Sequence, residues 1–292
     1  MPSNQTALLI VNLHSRNGQQ HRSEIIDRLK SLGFSLVEAS TENPQELPNL
    51  IRSYSDRVDL VIIGGGDGTL NLAIEGLLDT KLPLGILPLG TANDLGRTLG
   101  IPRNLAAACD AIAQGKRKQI DLGWVNGQYF FNVASLGLSV KITKQLTKEA
   151  KRRWGVFAYA ATALKVISKS RPFQAKITVN GETVAVKTVQ VAVGNGRYYG
   201  GGMQIVSDAT IDDRRLDLYS LEVKHWWQIV ALFPALWSGR HPRWLGVRLL
   251  EGQEITIETK KPRQINTDGE ITTKTPANFR VIPRALSVIV PQ

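Results

Sequence analysis

Between residues 60 and 71 a β-branched apolar run, Leu60-Val61-Ile62-Ile63, stops at Gly64-Gly65-Gly66-Asp67-Gly68-Thr69-Leu70-Asn71. That change of residue type is what a nucleotide-phosphate loop requires. Glycine lets the backbone approach a phosphate and adopt positive φ, and a helix starting near Thr69 points free N–H groups and its positive dipole end at the anion. Leu70, Ala73, Ile74 and Leu77 recur at i, i+3, i+4 and i+7, the spacing of one helical face. A tight strand-to-helix turn in an α/β protein would use the same residues, and a lone glycine loop does not decide between the two. A second copy of the design follows: apolar Leu84-Gly85-Ile86-Leu87, then Pro88-Leu89-Gly90-Thr91-Ala92-Asn93-Asp94-Leu95-Gly96-Arg97. Two such loops from neighbouring strands favour a phosphate site over two incidental turns.

Phosphoryl transfer needs a phosphate cradle, a cation to spread charge, and a group that accepts or positions the proton of the attacking hydroxyl. No G-x-x-x-x-G-K-[ST] motif occurs, since Gly115-Lys116 is followed by Arg117, so the glycine loops must serve as the cradle. Asp268 in Asn266-Thr267-Asp268-Gly269-Glu270 ends an extended run, where an acid before glycine can be exposed and freely oriented. The same Asp-Gly pair is also a common hairpin turn. Residues 207–217 carry four aspartates, enough hard oxygen donors for Mg²⁺ or Ca²⁺, or an acidic surface turn. His14, His21, His225 and His241 show no metal spacing.

These residues must be positioned by regular elements. Apolar runs at 7–11, 34–39, 60–63 and 84–87 alternate with amphipathic segments at 21–32, 44–54, 69–78 and 104–114, the rhythm of a doubly wound parallel sheet. Ligands bind such sheets beyond the carboxyl ends of the strands, where both glycine loops fall. From about residue 125 the pattern changes to alternating runs and two Asn-Gly turns, Asn126-Gly127 and Asn180-Gly181, the latter joining 175–179 to 183–193. Asn-Gly suits the two positive-φ positions of a type I′ turn, so this half is expected to be antiparallel. Helices are expected at 153–169 and 223–237, and strands at 247–250, 255–258, 279–282 and 286–290.

The chain has 292 residues, 42% of them hydrophobic and 21% charged, which favours two soluble domains over one. No apolar run approaches the ~20 residues that span a bilayer, and the N-terminus lacks a secretory pattern. A single cysteine, Cys109, excludes an internal disulfide and reads as a small buried hydrophobe. The net charge of +11 calls for an anionic partner. Zinc-finger spacing and RNA-binding aromatic patterns are missing, which argues against nucleic acid.

The blocks GGGDGTLN at 64–71, LGILPLGTANDLGR at 84–97, GNGRYYGGGMQIVSDATIDD at 194–213 and NTDGE at 266–270 resemble the diacylglycerol kinase catalytic-domain family, especially its bacterial lipid-kinase branch, with sphingosine and ceramide kinases more distant. The resemblance covers essentially the whole chain. It implies an NAD-kinase-like parallel α/β domain over 1–125 with a return at about 283–292, and an antiparallel β-sandwich over 126–282. It also implies an ATP-dependent lipid kinase acting on a diacylglycerol-like or phosphatidylglycerol-like hydroxyl. An NAD kinase-like phosphotransferase and a non-catalytic nucleotide- or lipid-binding homologue are the alternatives. By the same resemblance Thr41, Gly65, Gly66, Asp67, Gly68, Thr69, Leu70, Asn71, Leu72 and Thr91 line the ATP site. Asp268 is the general base, supported by Glu270, and Mg²⁺ sits on Asp213 and the carbonyls of Thr210 and Arg215. Two departures stand out: Leu72 replaces a common glutamate, and Arg214-Arg215 replaces a common Gly-Leu, so a glycine is lost from the turn and two cations oppose metal binding. A kinase for an insoluble lipid is expected in the cytoplasm, peripheral to an anionic membrane. Lys141, Lys144, Lys148, Lys151, Arg152 and Arg153 beside Trp154 would dock it there, with Trp226, Trp227, Phe233, Trp237, Arg240, Arg243 and Trp244. A homodimer is compatible with this reading.

Overall fold

The computed structural model describes residues 5–12, 16–41, 43–145, 166–199, 203–204, 209–223, 225, 227–228 and 246–292. They form two compact units, one from the residues through Leu122 and from Pro283 onward, the other from the described residues between Gly123 and Ile282.

The first unit alternates β1 (Thr6–Val11), α1 (Arg16–Ser31), β2 (Ser35–Ala39), α2 (Leu47–Ser53), β3 (Leu60–Gly65), α3 (Asp67–Leu72), α4 (Ile74–Thr80), β4 (Leu84–Pro88), α5 (Asp94–Thr98) and α6 (Leu105–Gln114). Its strands pair in parallel in the order β2-β1-β3-β4, with Leu8 opposite Val61 and Val61 opposite Leu84. The strands read as continuous apolar runs because both faces are covered, and residues 7–11 and 60–63 are all buried. α1 buries Ile25 and Leu29. α6 presses Ile112 so closely on Gly85 that a Cβ there would lie 3.2 Å from its side-chain carbons.

The helix expected over 69–78 starts two residues earlier and is two helices, broken at Ala73 (φ −79°, ψ −13°). Beyond the break α4 brings Gly76 against α2, where a Cβ would come 2.8 Å from the Pro48 carbonyl oxygen. Cys109 is buried in α6 as expected, and burial, aided by Asp110, pushes its thiol up to about 11. Alkylation by iodoacetamide at neutral pH, followed by mass spectrometry, is therefore expected to be negligible in the native protein and rapid in denaturant.

The second unit holds β5 (Lys116–Val125, entering from the first unit), β6 (Gln128–Phe130), β7 (Val133–Gly137), α7 (Leu138–Gln145), β8 (Phe173–Val179), β9 (Glu182–Thr188), β10 (Gln190–Gly194), β11 (Tyr198–Tyr199), β12 (Met203–Gln204), β13 (Leu216–Leu221), β14 (Val247–Gly252), β15 (Glu254–Thr259), β16 (Gln264–Thr267), β17 (Glu270–Lys274) and β18 (Ala277–Val290, leaving for the first). One antiparallel sheet runs β14-β13-β10-β7-β16-β17, and β18-β15-β8-β9 pair antiparallel in a second. Between them lies a core of Leu136, Val191, Val193, Leu218 and Ile265 from the first sheet against Phe173, Ile177, Ile255, Ile257 and Phe279 from the second. The alternate residue Ala192 faces another apolar cluster with Leu138 and Ile142 of α7. Both faces of its central strands β7, β10 and β13 are thus buried.

The expected Asn-Gly turns are present, with φ of 47° and 89° at Asn126-Gly127 and 52° and 83° at Asn180-Gly181. The single run expected over 183–193 is instead β9 and β10, in different sheets. At the corner Thr188 Oγ1 lies 2.8 Å from the Gln190 carbonyl and 2.9 Å from that of Leu221. The two strands expected at 279–282 and 286–290 are one, β18, bent at Arg284 (φ 51°), whose N–H donates to Asp121 Oδ1 at 2.7 Å. The end of β18 pairs parallel with β4 through Val288 and Leu84. Most of the helices expected at 153–169 and 223–237 lies outside the described residues.

Candidate active site

In the first unit β1 lies between β2 and β3, so the chain leaves β1 and β3 at a topological switch point, the usual ligand crevice of an open α/β sheet. Asn12 follows β1 and donates through Nδ2 to Thr69 Oγ1 at 2.9 Å, tying the two strand ends together. The sequence reading missed Asn12, although a polar residue directly after an apolar strand was a signal.

The two glycine loops touch each other. A Cβ on Gly66 would lie 3.1 Å from Gly90 Cα, and one on Gly90 only 2.4 Å from Gly66 Cα. Asp67 Oδ1 accepts the Leu95 N–H at 3.0 Å. Asn93, at φ 50°, closes the second loop: its Oδ1 accepts the Gly90 N–H at 2.9 Å and its Nδ2 donates to the Gly90 carbonyl at 2.8 Å. Gly65 is required by Thr69, whose Cβ would be 2.7 Å from an added Cβ. Much of the glycine content therefore packs the loops against each other.

Gly68 is different. It is exposed, has no positive φ, and an added Cβ would meet nothing within 4 Å. Packing does not explain a glycine there, whereas room for a phosphate group does. Close by in the chain, Asn71 Oδ1 is buried with no hydrogen-bond partner among the described residues. These two features fit a bound nucleotide. Gly68→Val is expected to leave the thermal midpoint near wild type while raising the ATP dissociation constant at least about tenfold, roughly the 1.4 kcal/mol of one displaced contact. Calorimetric titration alongside thermal unfolding checks it.

The other residues expected at the ATP site divide. Leu70 is 2% exposed, so its side chain belongs to the core and only its backbone can face a ligand. Leu72 is half-buried at the end of α3, and Thr91 is exposed in the second loop. Thr41 is half-buried, and its hydroxyl bonds locally, donating to the Asn43 carbonyl at 2.8 Å. The helical cap is Asn43, whose Oδ1 accepts the Gln45 N–H at 3.1 Å.

In the second unit β16 and β17 meet in a two-residue turn, Asp268 (φ 45°) and Gly269 (φ 102°), with Thr267 opposite Glu270. The Asp268 carboxylate is not freely oriented, contrary to the sequence expectation. Its Oδ2 accepts the Phe131 N–H at 2.6 Å, and its Oδ1 accepts those of Asn132 at 3.1 Å and Val133 at 2.9 Å. The Asp268 N–H donates back to the Val133 carbonyl at 2.9 Å. A carboxylate has about four acceptor positions, and these amides alone occupy three of them. Glu270, two residues on in the same hairpin, is exposed, and its carboxylate makes no hydrogen bond or ion pair among the described residues.

The expected metal residues come together, but around a different cation. Asp213 accepts the Thr210 N–H at 3.1 Å and the Arg215 N–H at 3.2 Å, and the Arg215 guanidinium lies 3.3 Å from its Oδ2. Arg214 holds φ 60°, so the turn forms without the glycine that the family resemblance led one to expect, at a cost of about 1–2 kcal/mol. These residues do not fit a bound Mg²⁺. Among the described residues no group of three or more His, Cys, Asp or Glu could hold a metal ion.

A parallel α/β unit with paired glycine loops, joined to a β-sandwich unit with an acidic hairpin, is the architecture of a nucleotide-dependent phosphotransferase. The diacylglycerol kinase catalytic domain model matches residues 6–125, and the YegS C-terminal NAD kinase beta sandwich-like domain model matches residues 132–290, more than half of the chain. The chain therefore belongs to the diacylglycerol kinase catalytic-domain family, and it is an ATP-dependent lipid kinase. Relatives named diacylglycerol kinase from Bacillus subtilis (strain 168) and Staphylococcus saprophyticus are each 27% identical to it. Matches to them cover 94% and 92% of this chain and 92% and 89% of theirs. A Bacillus anthracis crystal structure, described as that of a candidate diacylglycerol kinase, is 27% identical, with a TM-score of 0.84 over 99% of this chain and 96% of that one.

Proposed function

We propose that this protein phosphorylates the free hydroxyl of a diacylglycerol-like or phosphatidylglycerol-like lipid, with Glu270 accepting the hydroxyl proton and Asp268 positioning it. The observation that carries the assignment of roles is the hairpin itself: three backbone amides hold Asp268, while the Glu270 carboxylate is exposed. Bound ATP supplies the γ-phosphoryl group and leaves as ADP. The lipid oxygen forms the new P–O bond, the bond between the γ-phosphorus and the β–γ bridging oxygen breaks, and the hydroxyl proton passes to Glu270. The backbone around Gly66–Asn71 and Gly90 orients the phosphates, and the Asn12–Thr69 contact holds that loop at the switch point. The decisive assay incubates the protein and labelled ATP with total lipid extract, diacylglycerol, phosphatidylglycerol or NAD, and identifies the labelled product. Label in the lipid supports the reading, and label in NAD alone overturns it.

The substrate partitions into bilayers, so the second unit is assigned a reversible contact with anionic membrane. Lys144 is exposed on α7 and Trp227 is 56% exposed. Tryptophan favours the headgroup region, which suits the latter. Lys141 is half-buried, and burial together with the nearby Arg263 lowers its pKa. Lys148, Lys151, Arg152, Arg153, Trp154, Trp226, Phe233, Trp237, Arg240, Arg243 and Trp244 lie outside the described residues. Each cation at an anionic surface contributes about 1 kcal/mol, so changing Lys148, Lys151, Arg152 and Arg153 to Gln is expected to lower partitioning by about 10³-fold at low salt. Sedimentation with anionic vesicles measures it. Equal binding of wild type and variant would remove this cluster from the mechanism.

A further inference from the structure

The turn over 209–217 carries its own cation. Asp213 closes it, taking the Thr210 N–H on Oδ2 and the Arg215 N–H on Oδ1. The Arg215 side chain folds back over the same carboxylate, with Nε 3.3 Å from Asp213 Oδ2 and 3.5 Å from Asp217 Oδ1, and reaches Glu251 Oε2 through Nη1 at 3.0 Å. Asp217 is 8% exposed at its side chain, so its charge has little access to solvent. One guanidinium therefore faces three carboxylates, on the turn, on β13 and on β14.

We infer that Arg215 replaces a divalent ion at this turn, making the segment metal-independent in this protein. A Mg²⁺ needs near-octahedral oxygen donors at 2.0–2.1 Å. At Asp213 Oδ2 such an ion would sit beside an arginine that is always protonated, and both carboxylate oxygens already accept backbone N–H groups. The fork of the guanidinium can meet several carboxylates at once, which a single lysine ammonium cannot do with fixed geometry. The inference concerns only this turn. A cation that arrives with the nucleotide phosphates is a separate matter.

The test needs no nucleotide. The EDTA-treated wild-type protein is unfolded thermally with MgCl₂, CaCl₂ or KCl at matched ionic strength. Its midpoint is expected to be the same in all three, and Mg²⁺ calorimetry should show no heat of binding at the turn. Arg215→Leu should unfold several degrees lower and should recover part of the loss in Mg²⁺ or Ca²⁺ but not in matched KCl. Should the leucine variant not fold, Arg215→Lys keeps a charge without the fork, and is expected to be folded, less stable and still insensitive to Mg²⁺. A wild-type midpoint that rises specifically with Mg²⁺ overturns the inference. So does an Arg215→Leu protein as stable as wild type, or a lysine variant that Mg²⁺ stabilises.

Discussion

Replacing Glu270 with glutamine is expected to lower kcat by about 10²–10⁴-fold, the contribution of a positioned general base. The KM for ATP and the thermal midpoint should stay near wild type. Glutamine has the same shape but cannot take the hydroxyl proton. Because the Glu270 carboxylate is exposed and makes no hydrogen bond or ion pair among the described residues, its replacement strands no buried group. Steady-state kinetics with a lipid acceptor, alongside thermal unfolding, checks both halves. A kcat loss below about tenfold, outside the range for such a base, would take the role away from Glu270. Any loss accompanied by a large fall in stability would point to the hairpin instead.

The parts of the fold that the sequence made legible are those written locally. Four apolar runs ending in polar or glycine loops announce the parallel strands, and the two Asn-Gly pairs announce their turns because their backbone demand is intrinsic to those residues. What it hid depends on distant partners. Nothing between 183 and 193 shows that the chain changes sheets near Thr188, because Val184-Ala185-Val186 of the exposed edge strand β9 and Val191-Ala192-Val193 of the buried strand β10 are the same residues in the same order. The glycines read as a phosphate cradle in fact divide, Gly66 and Gly90 packing against each other and Gly68 facing open space. The spacing of residues 64–71 cannot separate those uses. At 213–215 the two arginines were visible as opponents of a metal, but only the fold shows one of them reaching Asp217 and Glu251.

Asp268→Asn is expected to damage stability and turnover together. The variant amide can still accept on one side, but on the other its NH₂ group faces a backbone N–H. Either Phe131 or the pair Asn132 and Val133 then loses its acceptor. A part-buried donor left unsatisfied costs about 1–3 kcal/mol, more where the lost partner was charged. At roughly 2–4 °C per kcal/mol for a unit of this size, the midpoint should fall by several degrees. The hairpin would loosen from residues 131–133 and carry Glu270 away from its position, so kcat should fall even though the proton-accepting carboxylate is intact. The fall in midpoint follows from the lost amide contacts whichever carboxylate is the base, so the midpoint alone does not separate the two roles. They differ in combination. With Asp268 acting through Glu270, adding Asp268→Asn to Glu270→Gln should lower kcat little further while still lowering the midpoint. Full additivity of the two kinetic losses would show that each carboxylate acts on the reaction independently.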